Sequence, residues 1–138
     1  MAQLNDPEAI RRLLVDTEVW AIVGLGANPH RPAYSVARFL QERGKRIVPV
    51  HPTAATVHGE RGYASLTDIP FDVDVVDVFR RSAEAGAVAD KALTRPEVQG
   101  VWFQLGVVDP AAADRVLAAG RTMVMDRCPA IEWPRLVG

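Results

Sequence analysis

The sequence predicts a doubly wound α/β fold: a five-stranded parallel sheet between two layers of helices. Two observations carry this. Five short apolar runs, each four to six residues long, are separated by segments with helical periodicity. The first run also breaks into a glycine-rich loop, Gly24-Leu25-Gly26-Ala27-Asn28-Pro29, before the next helix begins. Strands alternating with helices imply parallel pairing through right-handed crossovers. The expected strand order is 3-2-1-4-5. The 138 residues suit one domain over 1–138, with a helix over about 7–16 appended at its start.

In that first helix, Asn5 or Asp6 can cap the free N–H groups, and Pro7 stands where its missing N–H costs nothing. Ile10, Leu13 and Leu14 then form one apolar stripe. Trp20-Ala21-Ile22-Val23 is the first strand. From Pro32 or Ala33 to Arg43 the period is helical, with Val36, Phe39 and Leu40 inward and Gly44 as the stop. Arg46 to Val50 is the second strand, and Pro49 within it is awkward, since proline cannot donate to a central ladder. Residues 53–70 form an irregular crossover with a short turn near Ser65-Leu66. Asp74 to Phe79 is the third strand, followed by a helix around Ala83 to Thr94. Val101 to Leu105 is the fourth strand. Pro110 to Ala119 is the next helix, capped by Asp109. Thr122 to Met125 is the fifth strand, and the segment Ile131 to Pro134 packs on the domain or on a second copy.

Composition excludes several classes. A net charge of −1 gives no broad electrostatic footprint for nucleic acid or an anionic membrane. No apolar run approaches the roughly 20 residues of a transmembrane helix, and the N-terminus has no apolar signal core. A single cysteine, Cys128, forms no internal disulfide and fits a reducing cytoplasm. His30, His51 and His58 show no metal-binding spacing with acids or with Cys128.

Open α/β sheets bind ligands beyond the carboxyl ends of their strands, where the strand order reverses. In the expected order, strands 1 and 4 flank that point, so the first loop faces Gln104-Leu105-Gly106. Gly24 and Gly26 let backbone N–H groups approach an anion, and the following helix N-terminus favours negative charge. The loop serves as a phosphate cradle or as a plain strand-to-helix turn. A dinucleotide fingerprint needs a third glycine where Pro29 stands, and an acid where His51 stands. A P-loop needs a lysine that this loop lacks. Arg31 and Arg80 are placed to meet a phosphate or to serve as solvated charges. Gln104 is placed to bond a ligand amide or to tie loops together. Cys128 is a buried hydrophobe or a crevice thiol. No nucleophile elbow with serine, histidine and acid is present.

Five motifs occur in order: Gly24 to Pro29 with Arg31-Pro32 and Tyr34-Ser35; Val48-Pro49-Val50-His51-Pro52; Val76-Asp77-Val78-Phe79-Arg80; Val101-Trp102-Phe103-Gln104-Leu105-Gly106; and Met125-Asp126-Arg127-Cys128. Together, from about Val19 to Leu136, they resemble the stand-alone CoA-binding domain family. That family is similar to the N-terminal CoA-binding domain of the succinyl-CoA synthetase alpha subunit. The resemblance implies a Rossmann-like fold holding coenzyme A across the strand ends. The diphosphate and adenosine would lie over the first loop and the end of strand 2, and the pantetheine would run toward Gln104-Leu105-Gly106 and Cys128. The family usually has asparagine where this chain has His51.

The expected function is therefore binding of coenzyme A or an acyl-CoA without catalysis. Three alternatives stand beside it. One is an NAD(P)-type oxidoreductase, which Pro29 and His51 disfavour. Another is a redox adaptor in which Cys128 forms a mixed disulfide with CoA. The third is an interaction domain whose ligand site has decayed. Oligomeric state and protein partners are not legible in the sequence.

Overall fold

The computed structural model describes residues 3–138. The elements run α1 (Pro7–Asp16), β1 (Val19–Val23), α2 (Pro32–Glu42), β2 (Arg46–Val50), a 3-10 turn (Leu66–Asp68), β3 (Val75–Val78), α3 (Ser82–Leu93), β4 (Gly100–Phe103), α4 (Pro110–Ala118), β5 (Thr122–Val124) and α5 (Pro129–Leu136). Asp6 caps α1 by accepting from the Ala9 N–H at 3.1 Å. Its neighbour Asn5 does something else: its side chain bonds both the N–H and the C=O of Met125, at 2.8 and 3.0 Å. That pairing covers backbone just past the end of edge strand β5. Asp109 caps α4 through the Ala112 N–H at 3.1 Å. No helix among the described residues is long and apolar enough to cross a membrane.

All five strands pair in parallel, so the α/β, doubly wound, Rossmann-like class holds. Their order is β2-β1-β3-β4-β5. This corrects the expected 3-2-1-4-5. β3 is interior, between β1 and β4, and β2 takes the edge. The reason lies in the two strands' chemistry. β3 is buried at all four positions, and its side chains meet apolar layers on both faces. β2 begins at exposed Arg46 and contains Pro49. The Pro49 carbonyl accepts from Tyr63 N–H on the outer side at 2.9 Å, so the proline nitrogen also faces outward. There it interrupts no ladder bond. The awkward proline was thus the mark of an edge strand.

Side chains alternate across the sheet into two layers. On one face Trp20, Ile22, Ile47, Val75, Trp102 and Val124 meet α1, α2 and α5. On the other Ala21, Val48, Val76, Val101 and Phe103 meet the small residues of α3 and α4. Trp20 and Trp102 are fully buried, with ring centroids 5.6 Å apart. Full burial of large apolar side chains contributes about 1.5–3 kcal/mol apiece. The C-terminal segment forms α5 despite Pro134, and packs on this same chain: Trp133 meets Phe39 edge to face at 6.4 Å.

Because β1 lies between β2 and β3, the chain reverses direction at the β1/β3 boundary. The ligand crevice of such a sheet opens there. The end of β3, Phe79 and Arg80, therefore stands beside the glycine loop, and Gln104 lies one strand further out. This corrects the expected flanking of the loop by strand 4.

Candidate functional site

A crevice of about 960 Å³ opens at the carboxyl ends of β1, β3 and β4. Its volume suits a cofactor-sized ligand. Gly24 ends β1 with φ +101°, and its N–H donates to Val50 O at 2.8 Å. A Cβ there would run into the Phe79 carbonyl oxygen. Glycine is thus needed for conformation and for space alike. Gly26 is in an ordinary conformation, but a Cβ on it would stand 3.1 Å from His51 Cδ2 and 3.2 Å from Nε2. The His51 ring and the glycine loop therefore form one surface.

The loop presents donors. Among the described residues, no acceptor meets the N–H groups of Gly26, Ala27 or Asn28. Asn28 Oδ1 accepts from His30 N–H at 3.0 Å, which fixes the turn into α2. The α2 N-cap residue, Arg31, supplies no side-chain cap, so that helix end keeps its partial positive charge. His51 Nδ1 lies 3.2 Å from the donating Thr53 N–H and 2.8 Å from Thr53 Oγ1. With Nδ1 accepting, the neutral ring carries its proton on Nε2, the nitrogen nearest the loop.

The opposite lip is charged. Glu84 accepts from Arg80 Nε at 2.8 Å and from Arg81 at 2.6 Å. Arg81, and then Arg80, hold the Glu84 carboxyl below the usual carboxylate range. Two cations share one anion, so this lip carries a net positive charge. Ion pairs this exposed add little stability.

Deeper in, Gln104 is buried, and its Nε2 donates to Asp77 Oδ1 at 2.6 Å. Asp77 is wholly buried, and its Oδ2 has no partner among the described residues. Burial pushes its carboxyl up to about 8, against the smaller lowering effect of the Gln104 bond. Cys128 lines the same end of the crevice and is also buried. Burial pushes its thiol up, so little thiolate forms at neutral pH.

The family model described as CoA binding domain matches residues 18–134. This chain belongs to the CoA-binding domain family. It is 34% identical over 119 residues to YneT of Bacillus subtilis (strain 168), covering 86% of this chain and 87% of that one. A solved structure of a hypothetical protein from Pyrococcus horikoshii OT3 is similar at 32% identity and TM-score 0.89, over 96% of this chain and 93% of its own. The cell-free ID.343 structure from Thermus thermophilus matches at 33% identity and TM-score 0.87, over 95% and 98%.

Of the positions singled out from sequence in this CoA-binding-family chain, Gly24, Gly26, Ala27, Asn28, Arg31 and His51 line one part of the crevice. Phe79, Arg80, Gln104, Leu105 and Cys128 line the rest. Five others stand outside its wall. Pro29 and Pro52 are exposed in turns. The Tyr34 carbonyl bonds His58 Nε2 at 2.7 Å, and the Tyr34 ring lies tilted against the His58 ring with centroids 4.2 Å apart. Ser35 Oγ donates to Pro32 O at 3.2 Å, within the first turn of α2. The Gly106 N–H is taken by Asp126 Oδ1 at 2.7 Å.

Sequence reading missed Thr53 and Ala55, because the irregular crossover carries no periodicity to place it. It missed Ala33, which read only as a possible start of α2, and Val36, which read simply as its inner face. Arg81 and Glu84 follow a strand end that was recognised, so their proximity was within reach. Asp77 carried a signal as well: a lone acid inside an otherwise apolar strand.

Proposed function

We propose that the crevice binds coenzyme A or an acyl-CoA, and that the chain acts as a non-catalytic binding module. The observation that supports this most is the run of unpartnered N–H groups at Gly26, Ala27 and Asn28. They stand beside the uncapped N-terminus of α2, at the switch point of a chain in the CoA-binding domain family. Several free N–H groups and a helix N-terminus together suit a diphosphate. In this reading the adenosine lies toward His51, Arg31 and Arg80 flank the phosphates, and the pantetheine arm runs toward Gln104, Leu105 and Cys128. Pro29 and His51 still disfavour a nicotinamide cofactor, since they replace the glycine and acid of that fingerprint.

Two features favour binding without chemistry. The Cys128 thiol is buried and pushed up, which makes it a weak nucleophile. The Asp77 carboxyl has no solvent exposure and lies behind the crevice wall, out of reach of a ligand proton. We read the chain as one domain working in the cytoplasm.

Isothermal titration with CoA, acetyl-CoA and NAD⁺ tests the proposal. Saturable one-to-one binding of CoA, tighter than that of NAD⁺, is the expected result. Absence of heat at millimolar CoA, or preference for NAD⁺, refutes it.

A further inference from the structure

The feature left over is the buried Asp77–Gln104 pair. An acid sealed in an apolar layer is costly when one of its oxygens goes unpaired. Asp77 is in register with Ile22 on one side and Trp102 on the other, and both neighbours are fully buried. A leucine of similar bulk there would remove that cost. What Asp77 does instead is engage one atom of the crevice wall: it accepts from Gln104 Nε2 at 2.6 Å. Gln104 stands one residue past the end of β4 and two beyond Trp102, and its N–H still bonds Val78 O at 3.3 Å, so the contact with Asp77 is a diagonal one at the end of the β3–β4 pair. Among the described residues no donor meets Gln104 Oε1, and Gln104 lines the crevice.

We propose that Asp77 is a positioning residue: it holds the Gln104 amide with its nitrogen inward and its carbonyl oxygen toward the crevice, so that this wall selects a ligand arm bearing N–H groups. An unanchored amide presents either end, because its two orientations are nearly equal in shape. With the carboxyl proton on the unpaired Oδ2, Oδ1 serves only as an acceptor, so anchoring the amide nitrogen leaves a lone acceptor facing the ligand. This rests on the reading of the crevice as a CoA site, where the arm reaching Gln104 is the pantetheine with its two amide N–H groups. A ligand arm offering only acceptors would meet repulsion there.

The test compares CoA with 3′-phosphoadenosine 5′-diphosphate, which is CoA without its pantetheine. Asp77→Leu and Gln104→Leu are each expected to weaken CoA about tenfold, the scale of one lost hydrogen bond. Each leaves the truncated ligand within about twofold of wild type. In the double variant the losses do not add, because Asp77 acts through Gln104. A second readout needs no ligand. In wild type one proton of the Gln104 side-chain NH₂ is shifted downfield and exchanges slowly, and Asp77→Leu abolishes both properties.

Equal weakening of both ligands by Asp77→Leu means a merely structural role and overturns the proposal. So do unchanged CoA affinity, full additivity in the double variant, or a fast-exchanging Gln104 NH₂ in wild type. Failure of the wild type to bind CoA at all refutes the CoA reading instead, and the NH₂ signature then still reports on the pair itself. If Asp77→Leu does not fold, Gln104→Leu and the wild-type NH₂ signature decide.

Discussion

Asp77→Asn should remove part of the protein's pH dependence. In the native chain, burial raises the Asp77 carboxyl from 3.8 to about 8. Between those values the unfolded chain releases this proton while the native chain keeps it. The unfolded state then binds fewer protons, so stability falls as pH rises. The contribution is fully present below about pH 4 and is lost as pH climbs through about 8. Each unit of pH inside the window corresponds to about 1.4 kcal/mol. From about pH 5 to pH 8 the loss in the wild type is therefore about 3–4 kcal/mol from this one group. Asparagine has no proton to lose and still offers a carbonyl to Gln104 Nε2. Urea unfolding followed by tryptophan fluorescence, on both proteins across this range, gives the difference directly. The other titrating groups are common to both chains and cancel. The expected result is a variant that gains steadily on the wild type with rising pH. A difference that stays flat across the range would refute the assignment of Asp77 as a buried, neutral acid at pH 7.

Three further outcomes follow from the geometry. Gly24→Ala forces a side chain into a φ of +101° and against the Phe79 carbonyl, and should cost about 2–4 kcal/mol in a thermal or urea melt. Gly26→Ala adds a Cβ whose three nearest neighbours are all His51 ring atoms, at 3.1–3.4 Å. Its melting temperature should stay near wild type, while CoA affinity by titration calorimetry falls about tenfold as the loop surface closes. Glu84→Gln frees Arg80 and Arg81 from their shared anion. It should tighten CoA about three- to tenfold at low ionic strength, with the gain shrinking in salt.

The architecture was legible because β1 and β4 are continuous apolar runs and β3 is apolar but for Asp77, and because Pro7, Pro32, Gly44 and Pro110 punctuate the helices between them. The strand order was not read correctly, although Pro49 held the information. A proline that cannot serve a central ladder belongs on an edge, and that edge is β2. Placing β2 there leaves β3, buried on both faces, to pair with β1 and β4. The helix α5 escaped notice because Pro134 interrupts its pattern, although Pro129 stands at its first position.

At the site, Gly24 and Gly26 announced themselves through residue type. His51, Arg80 and Gln104 were found by position, as the residues that follow strands. Thr53 and Ala55 had neither signal, since an irregular crossover folds back only through tertiary contacts. One of these is the Val50–Tyr63 bridge. Tyr34 and Ser35 were drawn into the expected site by their place in a motif. On α2 the Tyr34 ring lies against His58, and Ser35 Oγ bonds within the helix's own first turn.

The most direct test is a crystal structure of the chain grown with CoA. The diphosphate should accept hydrogen bonds from the N–H groups of Gly26, Ala27 and Asn28, with a pantetheine amide donating to Gln104 Oε1. CoA bound anywhere else on the surface, or a crevice left without it at saturating concentration, would contradict the central claim.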